Sequence, residues 1–146
     1  MKNTLLPLIL ILLALNSFAQ STDKLTTKYL EIKNALVNSN FKEAAKAATA
    51  FKETLKNETE LAENTTLHTA IDNLLKANNI EKQRNVFKDL SATFWKVEKN
   101  NKSTTKLYYQ YCPMKNAYWI SSEKEIKNPY YGQGMLTCGK VVDTNP

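Results

Sequence analysis

The chain has 146 residues, 20 Lys and Arg against 14 Asp and Glu, a formal net charge of +6 and 42% hydrophobic residues. That length suits one hydrophobic core and disfavours two domains. The basic residues are scattered with no dense run, which argues against a nucleic-acid binder.

The first 19 residues read as a signal peptide. Lys2 precedes an apolar run, Leu5 to Leu15, and Ser17-Phe18-Ala19 forms a small-x-small cleavage site before Gln20. The run is short for a membrane span, and no cysteine follows it to carry a lipid, so no membrane anchor is expected. The expectation is an exported, periplasmic, soluble protein cleaved near Ala19-Gln20. Cleavage would leave 127 residues of charge about +5 in an oxidising compartment.

From Thr22 to about Asn100 the chain has neither Gly nor Pro, and apolar residues recur at helical spacing. Leu25, Tyr29, Ile32 and Leu36 form one stripe. Phe41, Ala44, Ala48, Phe51 and Leu55 form the next, after a polar break at Asn38-Ser39-Asn40 that offers a cap. A weaker third set is Leu67, Ile71 and Leu74, and the fourth is Ile80, Phe87, Leu90, Phe94 and Val97. Four amphipathic helices with short polar links predict an antiparallel four-helix bundle over residues 20–100. Gln83 and Arg84 fall in the fourth stripe, where half-buried polar groups serve structural hydrogen bonds. His68, the one histidine, has no carboxylate or cysteine beside it in sequence and reads as a surface or core-edge residue, with metal ligation the lesser alternative.

Beyond Asn101 the pattern turns aromatic. "KLYYQYC" and "AYWIS" read as strands, and Leu107, Tyr109 and Tyr111 alternate with Tyr108 and Gln110. Ser122 to Glu125 fits a capping box and predicts a helical turn that Asn128-Pro129 would end. All three glycines, Gly132, Gly134 and Gly139, cluster around Met135 and Cys138. The expected fold is mainly α: a four-helix bundle followed by a small, irregular β/loop segment, residues 101–146, packed on it as one domain, 20–146.

No Ser, His and Asp set, phosphate-cradling loop or paired histidines stand at catalytic spacing, and Glu123 and Glu125 sit in a solvated, lysine-rich stretch. An enzyme is not expected. What remains is the sulfur. Cys112 and Met114 form C-x-M, and Met135 and Cys138 form M-x-x-C, while the helices carry no sulfur at all. Thiolate with thioether selects Cu(I) over harder ions. The competing reading is a disulfide between Cys112 and Cys138, closing about 27 residues at roughly 3 to 4 kcal/mol in the chain-entropy picture. The compartment alone favours the disulfide, and the two readings exclude each other, since a disulfide sulfur is no thiolate.

The runs "NIEKQRNVFKDLSATFW", "YCPM", "AYWISSEKEIKNPYYG" and "MLTCG" resemble the family catalogued as domain of unknown function 3347, found in exported proteins of the Bacteroidetes. Members occur alone or attached to periplasmic adaptors of heavy-metal efflux pumps. The resemblance implies a place in copper handling, with an efflux pump or its adaptor as partner. "YCPM" is also similar to the Y-x-C-P-M-H-P segment of heavy-metal-binding domains in copper pumps, although here Tyr111 directly precedes Cys112 and Lys115-Asn116 replace the His-Pro. Together these favour a Cu(I) site of Cys112, Met114, Met135 and Cys138, shielded by Tyr111, Tyr118 and Trp119. The alternative is a disulfide-stapled interaction module of the cell envelope with no metal.

Overall fold

A computed structural model describes residues 22–101, 103 and 105–146; the signal-peptide segment read at 1–19 lies outside them. The described residues form four α-helices and a three-stranded antiparallel sheet: α1 over residues 22–37, α2 (Phe41–Lys56), α3 (Thr65–Lys76), α4 (Ile80–Lys99), β1 (Tyr108–Cys112), β2 (Ala117–Ser121) and β3 (Lys140–Thr144).

Three of the helices open on asparagine. The side chains of Asn40, Asn64 and Asn79 each accept from the backbone N–H three residues on, at Glu43, Leu67 and Lys82, which satisfies one otherwise unpaired donor per helix. The apolar stripes then bury as their spacing requires. Leu25, Tyr29, Ile32 and Leu36 of α1 meet Phe51, Leu67, Ile71, Phe87, Leu90 and Phe94 in one core. Tyr29 stacks on Phe87 and Phe94, with ring centres 5.2 and 5.4 Å apart. α3 lies against α2 and α4, and α4 carries β2.

The sheet order is β2-β1-β3, so β1 is central. The free edge of β2 is closed by two buried tyrosines: Ile120 N–H donates to Tyr29 Oη, and Tyr130 Oη donates to the Tyr118 carbonyl. Such capping leaves little of that edge for another chain to pair with. Cross-strand register sets Cys112 beside Ala117 and Gln110 beside Trp119 on one face, and Tyr111 beside Tyr118 on the other. The alternation of β1 therefore buries Gln110 and Cys112, and leaves Tyr109 and Tyr111 only partly covered. On that second face Trp95 of α4, Tyr109, Tyr118 and Tyr111 stack in succession, at 4.6, 5.0 and 4.5 Å.

The helical turn expected at Ser122 to Glu125 is absent; this stretch is a run of bends. The carbonyls of Glu123, Lys124 and Glu125 converge on the buried Gln110 side-chain amide, at 3.0, 3.2 and 3.2 Å, instead of pairing along a helix. Ser121, one residue before the supposed cap, takes the Glu123 N–H. A tertiary donor has outbid the local capping signal.

Gln83 and Arg84 are more deeply buried than their place in the stripe suggests, and both act structurally. Gln83 donates to the Phe41 carbonyl. The Arg84 guanidinium reaches the carbonyls of Pro129 at 2.9 Å and Leu36 at 3.0 Å, the Ser39 hydroxyl at 2.8 Å and the Glu81 carboxylate at 2.7 Å.

Candidate functional site

Cys112 ends β1 and is fully buried; Cys138 stands two residues before β3 and is half-buried. Because β3 pairs with β1, residues 26 apart in sequence meet, and the two Sγ atoms lie 3.5 Å apart as unbonded thiols. The shared hydrogen bond with Cys112, helped by burial, pushes the Cys138 thiol above its ordinary pKa. Cys138 therefore holds its proton more tightly than a free thiol does, and a metal taken up there must displace it.

The loop bearing Cys138 is fixed by residues that carry no sulfur. Asn128, fully buried, donates from Nδ2 to the Cys138 carbonyl at 2.7 Å and accepts at Oδ1 from Tyr130 N–H; its own N–H donates to the Leu136 carbonyl. Cys138 N–H closes a turn onto the Met135 carbonyl. Gly139 has φ +150°, and a β-carbon there would come within 2.8 Å of the Trp119 ring and 3.0 Å of the Tyr111 carbonyl. Trp119 thus packs into the space that the glycine leaves beside the thiols. Gly139→Ala is expected to destabilise the protein by about 2–3 kcal/mol, through both φ strain and the clash. Gly134→Ala, where nothing lies within 4 Å of the new carbon, should stay within about 0.5 kcal/mol. Urea titration of the two variants side by side checks the contrast.

Of the four sulfurs read from the sequence, the structure joins Cys112 to Cys138. Met114 is 64% exposed in the turn between β1 and β2, and Met135 is 36% exposed at the end of the 3-10 turn Gly132–Met135. Among the described residues, no three His, Cys, Asp or Glu side chains gather closely enough to hold one ion. His68 is turned elsewhere, its Nε2 bonded to the Ala62 carbonyl at 2.8 Å. Of the three expected shielding residues, Trp119 lies on the thiol face of the sheet, while the rings of Tyr111 and Tyr118 stack together on the opposite face. They cannot shield the thiols directly.

Asn128 is the positioning residue that the sequence reading missed, whereas Gly139 makes the close approach expected of the glycines around Cys138. Asn128 was read only as a helix stop before Pro129. The Gly139 neighbourhood of Cys138 did carry a signal, since a glycine beside a candidate ligand marks close backbone approach.

The architecture defines a class: a mainly helical protein with a small appended sheet that presents a dithiol. A family model described as "Protein of unknown function (DUF3347)" matches residues 25–106, more than half of the chain, and the chain belongs to that family. The matched span covers the helices and stops just before β1, so the sulfur segment lies beyond it. Neither the curated proteins nor the solved structures give a match.

Proposed function

We propose that this protein binds or relays Cu(I) in heavy-metal homeostasis, with Cys112 and Cys138 as paired thiolates and Met114 and Met135 as thioethers. The observation that carries the reading is the 3.5 Å approach of two thiols from distant positions. The donor chemistry fits the ion. The donors of this reading are two thiols and two thioethers, and soft sulfur donors favour Cu(I). Zinc would need two further good ligands, and thioethers are poor ones.

The exposed methionines suit a cargo site better than a sealed one. Thioethers on flanking turns can meet an incoming ion first and pass it to the thiols, or let a partner's ligands displace them. The helices, in the antiparallel bundle that their short links suggest, serve as the rigid platform. The partner in this reading is an efflux pump or its adaptor, reached in the periplasm after export.

The same 3.5 Å approach favours a second reading, a disulfide-stapled envelope module without metal, because oxidation of the pair requires little movement. One experiment separates them. The protein is purified without reductant, its free thiols are counted, and Cu(I) is titrated against a competing chelator before and after reduction. Copper handling predicts stoichiometric binding by the reduced protein, weakened at least about tenfold in Met114→Ala and Met135→Ala. Absence of Cu(I) binding in both redox states overturns it.

A further inference from the structure

At the far end of α4, Glu98 is fully buried, as is Thr26 of α1, the residue that it meets. Thr26 Oγ1 lies 2.9 Å from the Thr22 carbonyl and 2.5 Å from Glu98 Oε1. A hydroxyl has one proton, and the Thr22 carbonyl can only accept. The bond back to the carbonyl four residues earlier is the ordinary one for a helical threonine. If it takes the Thr26 proton, the second contact needs a proton from the carboxyl side.

We infer that Glu98 is a proton-dependent latch: as a neutral acid it donates to Thr26 and holds the start of α1 to the end of α4, and its ionisation loosens that joint. The surroundings agree. Glu98 Oε2 is buried with no hydrogen-bond partner among the described residues, so an ionised carboxylate would be poorly compensated. Beside it, Asn101 has both amide atoms buried and unpartnered. The charged side chain that acts on Glu98 from α1 is Asp23, a like charge, itself bonded to the Ser103 hydroxyl. The nearby described cations point away. Lys24 and Lys96 are exposed, Lys99 pairs with Asp143, and Lys106 donates to the Asn145 carbonyl.

Burial is the largest cause, and it raises the Glu98 carboxyl from 4.5 to about 7; Asp23 adds to the rise, and a Thr26 hydroxyl turned from the Thr22 carbonyl to donate to the carboxylate would oppose it. A group that binds its proton more tightly when folded stabilises the fold while protonated. That advantage is whole below the unfolded value and declines as pH rises through the folded one. The folded-to-unfolded ratio should therefore fall about tenfold per pH unit between 5 and 7, then level off. Asp72, Glu123 and Asp143 are pulled below their ordinary values by lysine partners, so their ionisation is complete before this window.

The test uses the intact protein. The Glu98 side-chain carbon is followed by NMR through pH 4 to 9, urea unfolding is measured across the same range, and amide exchange is read over residues 22–30. The expected results are a Glu98 midpoint near 7, stability falling from pH 5 to 7, and α1 amides that open more readily above 7 after correction for intrinsic rates. Glu98→Gln, which keeps a donor for Thr26, should flatten both dependences. A Glu98 midpoint below 5 in the folded wild type, or an unchanged pH slope in Glu98→Gln, overturns the latch.

Discussion

Arg84→Ala is expected to destabilise the protein by about 3–5 kcal/mol, the range for removing one side of a buried charged network. The guanidinium ties three separate stretches together: the end of α1 and its exit through Leu36 and Ser39, its own helix through Glu81, and the loop before Cys138 through Pro129. Deleting it strips a donor from the Pro129 carbonyl, the Ser39 hydroxyl and the Leu36 carbonyl, of which the last keeps the Ser39 N–H. Glu81 is exposed enough to rehydrate, so the loss comes from the backbone acceptors and not from the ion pair. Lysine should rescue less than half of the effect, because a single ammonium cannot reproduce the planar fork. Gly132 depends on the same group. Its φ is +57°, and a β-carbon there would sit 2.6 Å from the Arg84 guanidinium. Urea denaturation of Arg84→Ala and Arg84→Lys measures both claims.

Cys112→Ala and Cys138→Ala should each weaken Cu(I) binding by more than about 100-fold, beyond the loss typical of a supporting residue. Their effects on stability should differ. Cys112 is buried, and its truncation should cost about 1–2 kcal/mol, whereas half-buried Cys138 should cost under about 1 kcal/mol. A staple behaves otherwise. Either single substitution would then cost nearly the whole disulfide contribution, about 3 kcal/mol or more, and the double variant would add little. Comparing the two singles with the double under non-reducing conditions, alongside chelator competition, distinguishes the outcomes.

The helices were legible because their apolar spacing and asparagine caps act locally, and the stripes turned inward except that Phe41, Ile80 and Val97 are only partly covered. Trp95 escaped the stripe reading since it follows Phe94, one position round the helix, and buries itself against Tyr109. The strands were visible in "KLYYQYC" and "AYWIS", but β3 was not, for "KVVDT" shows no alternation strong enough to separate it from a tail. The supposed turn at Ser122 failed because a side chain from β1, not adjacent in sequence, claims the carbonyls that the turn needed. For the site, both readings of the sequence, a disulfide or a shared ion, required Cys112 and Cys138 to approach, and they do; what brings them together was not legible. It depends on β3 lying beside β1, a pairing that no local pattern encodes. The shielding assigned to Tyr111 and Tyr118 went wrong for a related reason, since one residue along a strand reverses the face.

The position of β1 between β2 and β3 has a bearing on timing. The β1–β2 hairpin can form as soon as Ser121 is available, with Cys112 already seated opposite Ala117. Its partner thiol arrives only when the chain through β3 has been made and laid on the other side of β1. The native sulfur pair therefore needs β3 in place, while the seat of Cys112 needs only the hairpin. Whatever joins the two sulfurs in their native geometry also spans β1 and the approach to β3, tying the last strand of the chain back to the centre of the sheet.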